Sequence, residues 1–291
     1  MVAVPDERFA PGERFGAEWS GQVAVVTGAA RGQGRSHAVA LAEQGASIIA
    51  LDACVPIATV PYPLPTKADL QATADQVEAL GARVIYGVVD VRDLAEMEQF
   101  IHDAVAELGR LDIVCANAGI STPAPTLEMT EETWQTTVDI NLTGVWKTCK
   151  ATVPHIVAGQ RGGSVIITSS SATTMISRNI AHYTAAKHGL IGFMRVLAKE
   201  LAPHRIRVNT LHPTGVKTPM ILNEPMYRLF RPDLADPTRE DFETQARSHH
   251  ALGVPAVEPE DVSAAVIYLA APSGRYVTGT TFMLDAGGPL A

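Results

Sequence analysis

The chain has 291 residues, 46% hydrophobic and 19% charged, with a formal net charge of -8. Such a composition buries a sizeable core, and its acidic balance with scattered Lys and Arg argues against a nucleic-acid partner, which needs clustered cations. Cys54, Cys115 and Cys149 are too few and too far apart for a disulfide framework or a zinc site, so no metal is expected and a reduced, cytoplasmic setting is the simplest reading.

Residues 1–20 are polar and mixed in charge, have no apolar signal-type run, and read as an N-terminal extension. The first strand is expected at 22–27. It runs into Thr27-Gly28-Ala29-Ala30-Arg31-Gly32-Gln33-Gly34 and a helix over 35–44. Glycines in such a turn let the backbone approach a pyrophosphate, and the helix N-terminus offers free N–H groups to the anion. A second strand at 47–51 ends on Asp52, 18 residues beyond Gly34. A carboxylate there accepts hydrogen bonds from an adenosine ribose and repels a 2′-phosphate, favouring NAD over NADP. Arg31 points the other way, because a base in this turn could meet that phosphate.

Residues 53–66 carry Pro56, Pro61, Pro63 and Pro65 and resist both helix and strand. A helix at 67–80 and a strand at 83–88 follow. Asp90, with Val91 beside it, ends that strand and could hydrogen-bond adenine; a solvated strand end is the alternative. Then come a helix at 94–108, a strand at 113–116, a long helix at 131–157, a strand at 164–168, a helix at 182–201 and a strand at 205–211. A helix at 259–271 and a strand at 281–284 close the chain. The strands are Val/Ile-rich and continuously apolar, as strands buried on both faces must be. The alternation predicts an α/β fold: a single-domain, Rossmann-type doubly wound parallel sheet of about seven strands with helices on both faces, over residues 21–291. No apolar run approaches the ~18 residues that cross a bilayer, so no membrane partner is expected. Residues 219–258 have weak periodicity but many large apolar side chains, which suits a substrate lid. His249 and His250 read as lid surface or satisfied polar groups rather than metal ligands, since adjacent helical residues point apart.

On the helix at 182–201, Tyr183 and Lys187 lie four residues apart on one face. A phenol is a poor base at neutral pH, and a neighbouring ammonium favours the phenolate. Ser169-Ser170-Ser171 follows the fifth strand, where a hydroxyl could reach the same substrate oxygen.

With these pieces the chain resembles the short-chain dehydrogenase/reductase family over roughly residues 21–288. The resemblance is carried by the turn Thr27–Gly34, Asn117-Ala118-Gly119 after the fourth strand, and Asn141 in the long helix. It extends to Ser170, Tyr183 and Lys187, the turn Pro213-Thr214-Gly215, and the tail Val277-Thr278-Gly279 with Asp285-Ala286-Gly287-Gly288. It implies Tyr183 as general acid/base, Ser170 as the group polarising the substrate oxygen, and Lys187 on the nicotinamide ribose. Asn141 would anchor a water in the proton relay, and Val216 and Thr218 would hold the nicotinamide carboxamide. Ser170 fits the family's thirteen-residue gap to Tyr183, and Ser169 is its rival. The family also implies dimers or tetramers, here a homotetramer, built through the two long helices and the last strand.

More narrowly, the proline-rich 53–66 insertion, Ala185-Ala186-Lys187-His188-Gly189 and His212-Pro213-Thr214-Gly215-Val216 resemble the carveol-dehydrogenase-like subgroup. That resemblance implies a tightly held NAD beneath the insertion, a hydrophobic alcohol or ketone such as a carveol-like terpenoid, and the redox carrier mycofactocin as a possible electron acceptor. The competing readings are an NADPH-dependent carbonyl reductase and a non-catalytic dinucleotide sensor. No cationic clamp for an acidic substrate is evident in the lid, although Arg228 and Arg231 could in principle serve.

Overall fold

The computed structural model describes residues 19–291 of the chain, so the expected extension at 1–20 lies almost wholly outside the described residues. Seven strands, β1 (Val23–Thr27), β2 (Ser47–Asp52), β3 (Val84–Val88), β4 (Ile113–Ala116), β5 (Gly163–Thr168), β6 (Ile206–Pro213) and β7 (Thr281–Leu284), form one sheet in the order β3-β2-β1-β4-β5-β6-β7. Every pairing is parallel, as the continuously apolar strands required. The helices are α1 (Gly32–Glu43), α2 (Lys67–Ala79), α3 (Leu94–Leu108), α4 (Glu131–Val138), α5 (Gly144–Gly159), α6 (Ala181–Leu201), α7 (Glu224–Phe230), α8 (Arg239–Arg247) and α9 (Pro259–Ala270).

Alternate residues of each central strand feed two separate cores. Val25, Val114 and Val165 pack with Ile101 of α3, Cys149 of α5 and Leu190 of α6 on one face. Ala24, Cys115 and Ile166 pack with Leu41 of α1, Leu70 of α2 and Val266 of α9 on the other. Strand order reverses between β1 and β4, and a parallel sheet offers its ligand crevice at the carboxyl ends of the strands there.

Three elements differ from expectation. α1 starts at Gly32, not at 35, because the glycine turn itself supplies the first helical residues. The long helix expected at 131–157 is interrupted by a π turn over Asp139–Thr143, where Gly144 N–H bonds back to the Asp139 carbonyl, five residues away. Within 219–258 two short helices form, α7 capped by Asn223 and α8 by a Thr238–Asp241 capping box. At seven and nine residues they are too short for an apolar period to declare itself. Tyr227, Phe230, Phe242 and His249 stack between them, which is what holds the segment together.

At the opposite end of the sheet, Asp112 fastens the start of β1. Its carboxylate accepts the Val23 N–H at 3.0 Å, takes two bonds of 2.7 Å from Arg110, and faces Arg161 at 3.7 Å. Removing the carboxylate leaves a buried strand N–H without its acceptor and a half-buried guanidinium without its charge. Asp112→Ala is expected to cost about 2–3 kcal/mol of stability. Urea unfolding of the variant checks this; a midpoint unchanged from wild type contradicts it.

Candidate active site

The turn after β1 is built for close approach. Gly28 and Gly32 take φ of +68° and +56°, and a Cβ on Gly34 would fall 2.0 Å from the Gly28 carbonyl oxygen. α1 has no side-chain cap and no acid in its first turn, whereas α2, α3, α4, α7 and α8 are all capped by side chains. Its first N–H groups are left for an external anion. Across the switch point, the Thr27 hydroxyl accepts the N–H groups of Asn117 and Ala118, both at 3.1 Å, and the Asn117 amide donates to the Thr27 carbonyl at 3.0 Å.

A cleft over this turn is lined by Gly28, Arg31, Gly32, Gln33, Gly34, Asp52, Asp90, Val91, Asn117, Ala118, Gly119 and Thr218, all expected from sequence. Asp52 accepts the N–H groups of Ala30 and Cys54, each at 3.1 Å. Burial pushes its carboxyl up, and those two donors and Arg31 oppose the shift. Asp90 is gripped by Arg92 through its backbone N–H and guanidinium. Burial raises that carboxyl, but Arg92 outweighs burial and holds it below the usual range. Arg31 lines the cleft beside Asp52. Its guanidinium donates to the Pro63 carbonyl, in the proline-rich segment.

That segment, 53–66, forms a wall of the cleft through Cys54, Ile57, Tyr62 and Leu64, which the sequence reading did not single out. The only signal was the run of prolines. Besides the Arg31 bond, the Tyr62 hydroxyl accepts the Ser121 N–H at 3.3 Å and the Thr122 hydroxyl donates to the Thr59 carbonyl at 2.9 Å. The segment is therefore tied to both the turn after β1 and the loop after β4. Burial pushes the Tyr62 phenol up to about 12, so it stays protonated.

A second cavity opens beside the first, and Gln33, Asn117, Gly119, Thr218 and Met220 line both. Its floor holds Ser170, Tyr183, Lys187, Pro213 and Val216; its far wall is Ile180, Ile221, Met226, Leu229, Phe230 and Phe242. Pro213 and Val216 thus face this second cavity rather than the first. Arg228 pairs with Glu224 and Asp236, and Arg231 with Asp233 and Asp241, so neither serves as an anion clamp. His250 is buried, bonded to the Thr214 hydroxyl at 2.6 Å and the Val254 carbonyl at 2.8 Å. No cluster of metal-ligating side chains occurs among the described residues.

The three serines have distinct tasks. Ser169 donates to the Lys187 carbonyl at 3.0 Å and is buried. Ser170 accepts the Ala172 N–H at 3.1 Å and lines the same cavity as Tyr183. Ser171 opens a short 3-10 turn. Lys187 donates to the Thr168 carbonyl at 2.7 Å, with its ammonium 5.6 Å from the Tyr183 ring centroid. Burial lowers Lys187 to about 8 and raises Tyr183, and the Ser170 hydroxyl is the group that pulls Tyr183 back down. Asn141 sits in the π turn, fully buried, its amide exchanging bonds of 2.9 and 2.8 Å with the Ile120 backbone. Its side chain fixes the loop after β4.

The residues fit a dinucleotide. Besides the glycine cradle and the uncapped α1, the Gln33 side-chain oxygen is buried without a partner at the junction of the two cavities. They would hold a pyrophosphate on the turn, an adenosine at Asp52 and a nicotinamide at the junction.

Buried Lys187 also makes stability pH-dependent. With a folded pKa of about 8 against 10.5 unfolded, the unfolded chain binds more protons between those values, so stability rises with pH across that window. Below about pH 8 the full burial penalty, roughly 3 kcal/mol, applies. Lys187→Met should therefore be more stable than wild type at pH 7, and the gap should close by about 2–3 kcal/mol at pH 10. Chemical denaturation at both pH values measures it, and a pH-independent gap would falsify it.

Comparison with known proteins agrees with this geometry. The short chain dehydrogenase family model matches residues 22–225. The chain is 54% identical over 275 residues to a (-)-trans-carveol dehydrogenase of Rhodococcus erythropolis, covering 94% of this chain and 99% of that one. A carveol dehydrogenase of Mycobacterium avium in complex with NAD superposes with a TM-score of 0.92 at 49% identity, over 94% of this chain and 100% of that one. A short chain dehydrogenase of Mycobacterium paratuberculosis bound to NAD gives 0.87 at 39% identity, with the same coverage. The family match over residues 22–225 and similarity over nearly the whole length place the chain in the short-chain dehydrogenase family.

Proposed function

We propose that the protein is an NAD-dependent alcohol dehydrogenase that oxidises a hydrophobic secondary alcohol, such as a carveol-like terpenoid, or reduces the matching ketone. The observation that carries this reading is the position of Ser170, Tyr183 and Lys187: they meet where the phosphate-binding cleft opens into an apolar cavity. When bound, NAD supplies the hydride acceptor. The Tyr183 oxygen takes the hydroxyl proton of the alcohol, and the Ser170 hydroxyl holds the substrate oxygen against it. Lys187 and the turn carrying Val216 and Thr218 hold the nicotinamide end, and Asn141 supports the relay through its main chain. The far wall excludes water and selects apolar substrates, since its cations are spent on lid carboxylates.

Segment 53–66 acts as a cover over the cofactor. Its three fastenings support slow release, because a ligand beneath it leaves only when they part. Bound NAD would then be reoxidised in place by a carrier, for which mycofactocin is our candidate. Residues 219–258 are the substrate lid, and residues 21–291 work as one catalytic domain. Trp134 on α4, Trp146 on α5 and Val196 on α6 are exposed, which supports a homotetramer built through these helices. No helix among the described residues is long and apolar enough to cross a membrane, and we place the enzyme in the cytoplasm.

Purified protein without added NAD, given carveol and a redox dye, is expected to reduce the dye over many turnovers. Turnover only with free NAD would leave the dehydrogenase reading intact and overturn cofactor retention. Tyr183→Phe is expected to lose turnover by at least about 100-fold while the NAD-dependent shift in melting temperature survives. Full activity in that variant would sink the catalytic assignment. Asp52→Ser is expected to relax the preference for NAD over NADP, read as the ratio of kcat/KM for the two coenzymes; an unchanged ratio removes Asp52 as its cause.

A further inference from the structure

We infer that His212 is a positioning residue of this active site: its imidazole clamps the carbonyl of Ser170 and so holds the Ser170 hydroxyl against Tyr183. The inference rests on the dehydrogenase reading above.

His212 lies in β6 and is wholly buried. Its Nδ1 stands 3.0 Å from the Ser170 carbonyl oxygen and 2.9 Å from the Thr173 hydroxyl, and its Nε2 is 2.8 Å from the Thr210 hydroxyl. A carbonyl can only accept, so Nδ1 carries the hydrogen; Nε2 is then an acceptor, which the Thr210 hydroxyl satisfies. One neutral tautomer thus fits both sides. Burial pushes His212 down to about 4, the Ser170 carbonyl opposes that shift, and Lys187 and His188 on α6 add to it, so no proton is gained in the working range. Thr173 also donates to the Ser170 carbonyl, at 2.8 Å.

The consequence is local rigidity at the end of β5. The Thr168 carbonyl is held by Lys187, the Ser169 hydroxyl by the Lys187 carbonyl, and the Ser170 carbonyl by His212 and Thr173. With its main chain pinned, Ser170 can keep its hydroxyl on the phenol, and that hydroxyl is the group opposing the burial of Tyr183. A side chain that merely filled the core would need no ring nitrogen facing Ser170.

The test compares His212→Leu, which keeps the bulk and removes the donor, with His212→Asn, which keeps an N–H near the place of Nδ1. Tyr183 ionisation is read as the phenolate absorbance lost when Tyr183→Phe is added to each background. We expect the midpoint in the Leu variant to rise by about half a pH unit or more, and the Asn variant to restore it. Carveol oxidation should fall about 10- to 100-fold in kcat in the Leu variant with KM changed little, and recover in the Asn variant. An unmoved midpoint in the Leu variant overturns the inference. So does a shift that the Asn variant fails to reverse. The phenolate readout needs no turnover, so an inactive wild type would refute the dehydrogenase reading while this comparison still decides the role of His212.

Discussion

The site hangs on the bridge between β1 and β4. Two neighbouring parallel strands whose connections leave in opposite directions part at their carboxyl ends, and something must hold the gap at a fixed width. Here one hydroxyl does so, since Thr27 accepts two successive N–H groups from Asn117 and Ala118. The glycine turn departs from one side of that bridge and the Asn117–Gly119 loop from the other, so the cofactor cleft inherits its width from it. The Thr168 hydroxyl extends the link to β5 by bonding the Asn117 amide, 3.2 Å away. From there Lys187 and the serines are placed by short bonds rather than by long loops.

Chemistry at that junction is bought with stability. A lysine and a tyrosine are buried together, each with its charged form disfavoured, and no carboxylate is paired with Lys187 in the hydrogen-bond network around it. Near neutral pH a buried ammonium whose pKa approaches that pH moves its proton more readily than one at 10.5. The same burial excludes water from the place where charge must shift. The fold tolerates this cost because both faces of the sheet carry extensive apolar cores.

Two departures from a minimal fold of this type enclose the two halves of the crevice. Segment 53–66 is tied to other elements by Arg31, Ser121 and Thr122, and its four prolines keep it out of helix and strand. The lid is ordered by its own aromatic stack and by ion pairs that consume its arginines. The first walls the cleft over the glycine turn and Asp52; the second presents an apolar wall. Each is suited in composition to the half it covers.

Much of this was legible in the residues. The six strands and the last one were readable because burial on both faces demands continuous Val and Ile, and all seven lie within two residues of the expected ends. The glycine turn, Asp52 and the Tyr183–Lys187 spacing are local patterns, in which chemistry depends on neighbours in sequence, and the cleft gathers them as expected. Other features depended on contacts between distant residues, which no local pattern encodes. Arg31 bonds the Pro63 carbonyl only because the folded chain returns Pro63 beside it. Ser169 and Ser170 are alike in sequence; the Lys187 carbonyl, 18 residues on, takes the first and leaves the second for Tyr183. Tyr62 and His212 lie in segments that carry the resemblance, but no local pattern gives either a role; they join the site because tertiary packing brings their polar atoms to the backbone of Ser121 and Ser170. The sequence by itself determined the sheet, the glycine turn and the Tyr183–Lys187 pair, since these follow from propensity and spacing. Which polar atoms pair across the closed crevice was decided only by tertiary structure, because a buried donor takes whichever acceptor the folded chain brings within 3 Å or so.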